Sequence, residues 1–191
     1  MTFSEAGFVL YLRECKFTMK FNRLAAVVAA AVMAFGAFIT PSFVSASASQ
    51  NVQAATKAPA RNKISFAGVT VPVIKGNMSV TSAPHANVAQ TWGGQTTLSN
   101  TDNQSTEMIG HNNTSFGKIV NLKKGSAVTV HDGMGNTKVY HVTKVLNVTD
   151  KGYINHTSTS VYNQIVNPNQ GEQVVLQTCL SETVNRLVWA R

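Results

Sequence analysis

The C-terminal stretch 173–191 has the pattern of a β-hairpin. Residues 174–176 form one short apolar, β-branched run, and residues 187–189 form a second that ends in an aromatic side chain. Mostly polar residues join the two runs. In an antiparallel pair the loop-proximal ends of both strands lie close together, so we expect Cys179 and Arg186 to share one rim of a sheet.

A thiol beside a guanidinium is suited to acyl transfer. A free thiol has a pKa of about 8.5, only the thiolate is a good nucleophile, and a cationic neighbour favours the thiolate. The same positive charge can face the oxygen that becomes negative when a carbonyl is attacked. Such chemistry also needs an acid and base, normally a histidine. The alternative is that Cys179 is a small buried hydrophobic residue, the usual role of an isolated cysteine after a strand.

The charge balance points towards an anionic surface and away from nucleic acid. The chain carries 16 Lys and Arg against 8 Asp and Glu. The positive residues are scattered singly, apart from the pair Lys123 and Lys124, and no basic stretch carries interleaved aromatic residues. We therefore predict no nucleic-acid partner, and attraction to the surface of a cell envelope explains the excess of positive charge.

The N-terminal region has the features of a secretory leader. Residues 24–39 (LAAVVAAAVMAFGAFI) form an apolar run that Lys20 and Arg23 precede. The run is slightly shorter than the roughly 20 residues that a spanning helix needs. The small residues 46–48 (ASA) then fit the pattern of a cleavage site.

We accordingly predict a signal peptide over residues 19–48, with residues 1–18 as an over-extended N-terminus. An uncleaved membrane anchor is the alternative for the same apolar run. Either way the domain is exported, and it is secreted or held at the extracellular face of the membrane. The exported part then contains one cysteine, Cys179, and a lone thiol in an exported protein is a liability unless it is buried, paired between chains or used.

The sequence that follows the leader predicts a flexible spacer over 49–63 and one mainly β domain over 64–191. Alternating or β-branched patterns predict strands at the following places: residues 64–73, the segment before Gly110-His111, 126–130, 137–148 and the two arms of the C-terminal hairpin. The weakly patterned stretch 79–103 predicts mostly loop with a short helical piece over 87–91. Residues 150–170 predict a long loop with a helical turn over 158–165, and loops of that length are often binding loops.

No metal site is predicted. The five histidines (His85, His111, His131, His141 and His156) have no metal-ligand spacing, and the lone Cys179 cannot form a thiolate cluster. Each histidine taken alone is most simply an exposed or hydrogen-bonded side chain. Trp92 is most simply a packing residue.

The order His111, Cys179, Arg186 on an exported antiparallel β domain resembles the sortase family of cysteine transpeptidases. The segments that carry the resemblance are Gly110-His111 with Phe116 and Ile119, residues 122–125 and 128–130, Tyr140-His141-Val142, Leu176-Gln177-Thr178-Cys179, and Asn185-Arg186-Leu187-Val188. Together they extend over the whole domain.

The resemblance implies a closed eight-stranded sortase-type β-barrel with short helices in its loops. It implies that Cys179 is the nucleophile, His111 the acid and base, and Arg186 the residue that positions substrate and stabilises the oxyanion. The implied substrates are proteins with an LPxTG-like sorting signal, cleaved between Thr and Gly through a thioacyl enzyme. The acceptor would be an amine of peptidoglycan or of a pilin. No cofactor is implied, and a dependence on calcium stays open.

Two other families of cysteine acyl-transfer enzymes do not fit the order of the residues. An L,D-transpeptidase is expected to have His and Gly just before the cysteine, whereas Gln177 and Thr178 precede Cys179. A papain-like domain normally has its cysteine upstream of its histidine, and here it lies downstream. The functional alternative that stays open is a non-catalytic sortase-like β domain that binds the cell envelope.

Overall fold

The computed structural model describes residues 60–80 and 82–191. The predicted leader and the spacer up to residue 59 lie outside the described residues. The described part contains eight strands: β1 (Lys63–Phe66), β2 (Val69–Ile74), β3 (Ala89–Gly94), β4 (Ser105–Ile109), β5 (Ala127–His131), β6 (Thr137–Thr149), β7 (Gln173–Cys179) and β8 (Val184–Ala190). It also contains one α-helix, α1 (Tyr162–Val166), and two 3₁₀ helices, Ser115–Asn121 and Pro168–Gln170.

The eight strands form a closed barrel in the order β1-β2-β3-β4-β7-β8-β6-β5, and β5 pairs with β1 to complete it. The pairs β2–β3 and β4–β7 are parallel, and the other neighbours are antiparallel. This confirms the predicted mainly β fold, a closed eight-stranded barrel with short helices in its loops. None of the helices in the described residues is long and apolar enough to span a membrane.

The predicted strand over 64–73 is in fact a hairpin. Ala67 and Gly68 form the turn between β1 and β2, with φ values of 45° and 75°. Two successive residues at positive φ are typical of the tight turns that match the twist of paired strands. Buried apolar residues alternate on both sides of the turn, Ile64 and Phe66 before it and Val71 and Val73 after it, and the change from even to odd positions at Ala67-Gly68 is the sign of the turn in the sequence.

The predicted helical piece over 87–91 is wrong, because the chain there enters strand β3. All but the last residue of β3 are buried, including Gln90 and Thr91. A strand that is covered on both faces needs no alternation of polar and apolar side chains. The period that would identify β3 in the sequence is therefore missing.

Two apolar layers surround the wall formed by β4, β7 and β8. One layer fills the interior of the barrel and includes Val174 and Leu176 of β7 together with Phe116. The other lies on the outer face, where Val175 and Leu187 pack against Ile165 of α1. Because side chains alternate along β7, its even-numbered residues face inwards and its odd-numbered residues face outwards under α1. Cys179, at the end of β7, therefore belongs to the outer face.

Candidate active site

Strands β4, β7 and β8 are neighbours, and all three sequence-predicted site residues lie at the same end of this wall. Ile109, the last residue of β4, is in register with Gln177 of β7. On the other side of β7, Thr178 is in register with Arg186 and Cys179 with Asn185. The parallel pairing of β4 with β7 joins segments 68 residues apart, since Ile109 lies opposite Gln177.

The chain stays beside β7 after β4 ends, which carries His111 to the cysteine end of β7. The Gly110 N–H donates to the carbonyl oxygen of Gln177 at 3.3 Å, and the Thr178 hydroxyl donates to the carbonyl oxygen of Gly110 at 2.8 Å. A Cβ at position 110 would lie 2.6 Å from ring atoms of Phe116. Glycine is therefore required here because the Phe116 ring packs directly on the backbone.

The imidazole of His111 is partly buried and stacks on a second histidine. The ring centroids of His85 and His111 are 5.2 Å apart, with an angle of 18° between the ring planes. The loop that carries His85 is tied to the His111 segment, because Asn87 Oδ1 accepts a hydrogen bond from the Ser115 N–H at 2.9 Å. Sequence reasoning did not place His85 in the site, since the two histidines are 26 positions apart in a weakly patterned region.

Cys179 is 7% exposed and packs in a small apolar cluster with Trp92 and Ile109. Partly buried side chains of α1, Tyr162 and Val166, pack against the same cluster. Trp92 is thus a packing residue, as the sequence predicts, but it packs beside the cysteine. The long loop between β6 and β7 supplies α1 and so covers the outer face next to the thiol.

The register refines the predicted proximity of Cys179 and Arg186. Asn185 lies directly opposite Cys179, and Arg186 lies opposite Thr178, so Arg186 is offset from the cysteine by one residue along β8 and its side chain leaves the strand on the face of Thr178. The Nε atom of Arg186 is buried and has no hydrogen-bond partner among the described residues. An N–H group of a cation that lacks a protein acceptor can serve an oxygen of a bound substrate.

Asn185 and Asp150 are site residues that the sequence analysis missed. Asn185 is buried opposite Cys179, and its Nδ2 donates to Asp150 Oδ1 at 3.1 Å. Burial raises the pKa of the Asp150 carboxyl, and the hydrogen bond from Asn185 partly offsets that effect. The pairing with Asn185 connects Asp150 to the site.

A buried carboxyl group lies on the same outer face as Cys179. Glu107 of β4 is fully buried, and neither of its carboxylate oxygens has a hydrogen-bond partner among the described residues. Burial raises its pKa well above the usual range, and the nearby backbone N–H of Gly93 offsets only part of that rise. A Cβ at position 93 would lie 2.5 Å from Glu107 Oε2, so glycine leaves the space that this carboxyl group occupies.

We expect Glu107→Gln to remove a pH dependence of stability. The unfolded carboxyl group has a pKa of about 4.3, so between that pH and the higher folded pKa the native state binds a proton that the unfolded state has lost. The free energy of unfolding of the wild type should therefore fall as the pH rises above about 4. The glutamine variant cannot ionise and should become more stable than wild type by about 1–3 kcal/mol at neutral pH. Urea unfolding at pH 4 and pH 8 measures this difference.

The matched control for this experiment is Glu182→Gln, because Glu182 is exposed in the β7–β8 connection. The control should follow the wild-type pH dependence. A Glu107→Gln variant whose stability also falls in parallel with wild type would show that another group is responsible.

The part of the chain that the structure describes contains no group of three or more His, Cys, Asp or Glu residues that could hold a metal ion. What this end of the wall does share is the backbone of the residues that carry a thiol, an imidazole and a guanidinium, at or just beyond the ends of three adjacent strands. When the cysteine is reduced, these groups can act as nucleophile, acid and base, and electrostatic stabiliser of an oxyanion. The combination is suited to acyl transfer.

A model of the sortase domain matches residues 63–191, which is more than half of the chain. A comparison with curated proteins found no match. The matched range begins at the first residue of β1 and includes every described strand.

The chain is similar in fold to several solved sortase structures. Sortase C of Clostridium perfringens SM101 aligns with a TM-score of 0.50 and 16% identity, over 67% of this chain and 66% of that protein. Sortase C-1 of Actinomyces oris aligns at 0.52 and 19%, over 67% and 68%. A pilus-related sortase C of Group B Streptococcus aligns at 0.51 and 19%, over 68% and 64%. The chain thus spans about two thirds of the length of these proteins, and at these identities the likeness establishes a shared fold.

Proposed function

Because the chain belongs to the sortase family, we propose that it is an exported cysteine transpeptidase with Cys179 as nucleophile, His111 as acid and base, and Arg186 as oxyanion-stabilising residue. The observation that carries the proposal is the pairing of β4, β7 and β8. It sets His111 on one side of the cysteine strand and Arg186 on the other.

The first half of the reaction forms a thioacyl enzyme. The Cys179 thiolate attacks the Thr carbonyl carbon of an LPxTG-like sorting signal, and the carbonyl oxygen becomes negatively charged. The Arg186 guanidinium, whose Nε–H has no hydrogen-bond partner among the residues that the structure describes, stabilises that oxygen. The Thr–Gly carbon–nitrogen bond then breaks, and the His111 imidazolium gives its proton to the leaving amine.

The second half transfers the acyl group to an amine. The acceptor nitrogen attacks the thioester carbonyl while neutral His111 takes a proton from it. The carbon–sulfur bond breaks, a new amide forms, and the Cys179 thiolate is restored. An amine of peptidoglycan or a pilin lysine fits this role. The structural similarity to the pilus-related sortase C of Group B Streptococcus supports the pilin lysine as acceptor.

The proposed location follows from the leader that the sequence predicts over 19–48. An exported domain of this kind works at the outer face of the membrane, where sorting signals and cell-wall amines meet. The positive charge of the chain favours residence at an anionic envelope.

Mass spectrometry of the reduced protein incubated with a library of sorting-signal peptides tests this function. We expect an adduct on Cys179 with the mass of the peptide up to its threonine, and its loss when an amine such as triglycine is added. Cys179→Ala should form no adduct. Absence of any adduct across a broad library, with the protein folded and the thiol accessible to a small reagent, would favour the non-catalytic envelope-binding alternative.

A further inference from the structure

A second candidate binding site lies at the other end of β7 from Cys179. A cavity of about 360 Å³ opens there between β6, β8 and α1. It is lined by Thr143, Lys144, Gln164, Gln170, Gln173, Trp189 and Arg191, and we refer to it as the Lys144–Arg191 cavity. Gln173 and Cys179 are the two end residues of β7, so at about 3.3 Å per residue the cavity lies roughly 20 Å from the thiol. The two sites are separate.

The cavity is cationic. Lys144 and Arg191 both line it, and none of its lining residues is Asp or Glu. Burial lowers the pKa of the Lys144 ammonium, and the positive charge of Arg191 lowers it further. Two like charges held together with no acidic side chain in the lining repel each other, and a bound anion would relieve that repulsion.

Arg191 is held in place by glutamine residues rather than by an acid. Its Nε donates to Gln173 Oε1 at 2.9 Å, and its Nη2 donates to the Gln170 carbonyl oxygen at 3.1 Å. Gln173 is itself 3% exposed, and its Nε2 donates to Ser105 Oγ at 3.0 Å, which fixes the orientation of the amide. A guanidinium has five N–H groups, so three are left for a ligand.

Lys144 is positioned in a similar way. Its Nζ lies 4.0 Å from the centroid of the Trp189 ring and donates one hydrogen bond to Gln164 Oε1. An ammonium group has three N–H donors, and two of them have no partner among the described residues. The cavity therefore presents several spare donors on two cations that each already make hydrogen bonds to the protein.

We infer that the Lys144–Arg191 cavity binds a phosphate group. A planar guanidinium fork and a second cation suit a tetrahedral phosphate group, which can offer separate oxygens to the two cations, better than a carboxylate, whose two oxygens lie in one plane. Phosphate reaches such a site either as the free ion or as part of an anionic polymer of the cell envelope. Bound to a polymer, the cavity would hold the domain on the envelope while the Cys179 end of the wall faces outwards. This site does not depend on the proposed catalysis.

Binding of inorganic phosphate and of poly(glycerol phosphate) to the full, reduced chain tests the inference, with the NMR signal of the Trp189 indole N–H as the probe. We expect saturable binding that weakens about tenfold or more in Lys144→Gln and in Arg191→Gln, because each variant removes a charge-assisted hydrogen bond. Lys124→Gln is the matched control: it makes the same charge change at an exposed turn, and it should bind within about twofold of wild type.

The arms of the experiment separate the outcomes. Tight binding of the polymer with weak binding of free phosphate identifies the polymer as the ligand, and comparable binding per phosphate identifies the ion. Tighter binding of polyglutamate than of either phosphate probe would overturn the assignment to phosphate. Equal losses of affinity in Lys144→Gln and Lys124→Gln, or binding that never saturates, would contradict the inference. Either result would mean that the general positive charge of the surface attracts the probes and that the cavity does not bind them. Thioacyl formation on Cys179 should be unchanged in Lys144→Gln, which also reports that the variant is folded.

Discussion

Replacing His111 with alanine is expected to lower turnover of a sorting-signal peptide by a factor of about 10²–10⁴, the usual contribution of a positioned general acid and base. His111 directly follows Gly110, whose backbone is hydrogen-bonded to Gln177 and Thr178 of β7, and so His111 lies at the cysteine end of the wall. Without the imidazole of His111, the leaving amine loses its proposed proton donor. The rate constant for peptide cleavage measures the loss, and the rate of thiol labelling across pH measures the reactivity of Cys179.

The control for this variant is His141→Ala, because His141 is an exposed histidine on β6 at a distance from the wall end. It should retain wild-type turnover. Imidazole added to the His111→Ala variant should restore part of the lost rate, since a small base can enter the space left by the ring. Wild-type turnover in His111→Ala, or equal and slow labelling of Cys179 in both proteins, would contradict the role of this residue.

The second large effect is expected at Arg186. Arg186→Gln should lower kcat for peptide cleavage by about 10²–10³, which is typical for the loss of one donor to an oxyanion. Arg186→Lys should recover only part of the loss, because lysine keeps the charge and lacks the planar fork of donors. Single-turnover kinetics of thioacyl formation isolate the chemical step from substrate binding.

Arg61→Lys is the charge-conserving control for Arg186→Lys, since Arg61 is exposed and donates to the Gly133 carbonyl oxygen, away from the β7–β8 connection. Its kinetics should match wild type. An increase in KM with unchanged kcat in Arg186→Gln would mean that Arg186 positions the substrate without stabilising the oxyanion.

Much of the fold could be predicted from the sequence because its signals are local. The C-terminal hairpin follows from two β-branched runs on either side of a polar connection, and the structure pairs β7 with β8 there. The alternating run over 137–148 likewise became β6. Strand β3 could not be predicted, because burial of both its faces removes the alternation on which the prediction depends.

The arrangement of the candidate site needed pairings between distant segments. A shift of one residue in register moves a side chain to the other face of a sheet, so the pattern of the hairpin could not decide whether Asn185 or Arg186 lies opposite Cys179. The structure places Asn185 there and connects it to Asp150. The stack of His85 on His111 also depends on a loop that has no pattern of its own.

The sequence by itself determined a mainly β domain, the order of a histidine, a cysteine and an arginine along it, and the resemblance that this order carries. Those properties depend on the local alternation of side chains and on residue types. Only the tertiary structure decided which groups are neighbours: β4 beside β7, Glu107 buried under α1, and Lys144 across a cavity from Arg191. The physical reason is that closing the barrel sets register and burial for all strands together, and no short segment contains that information.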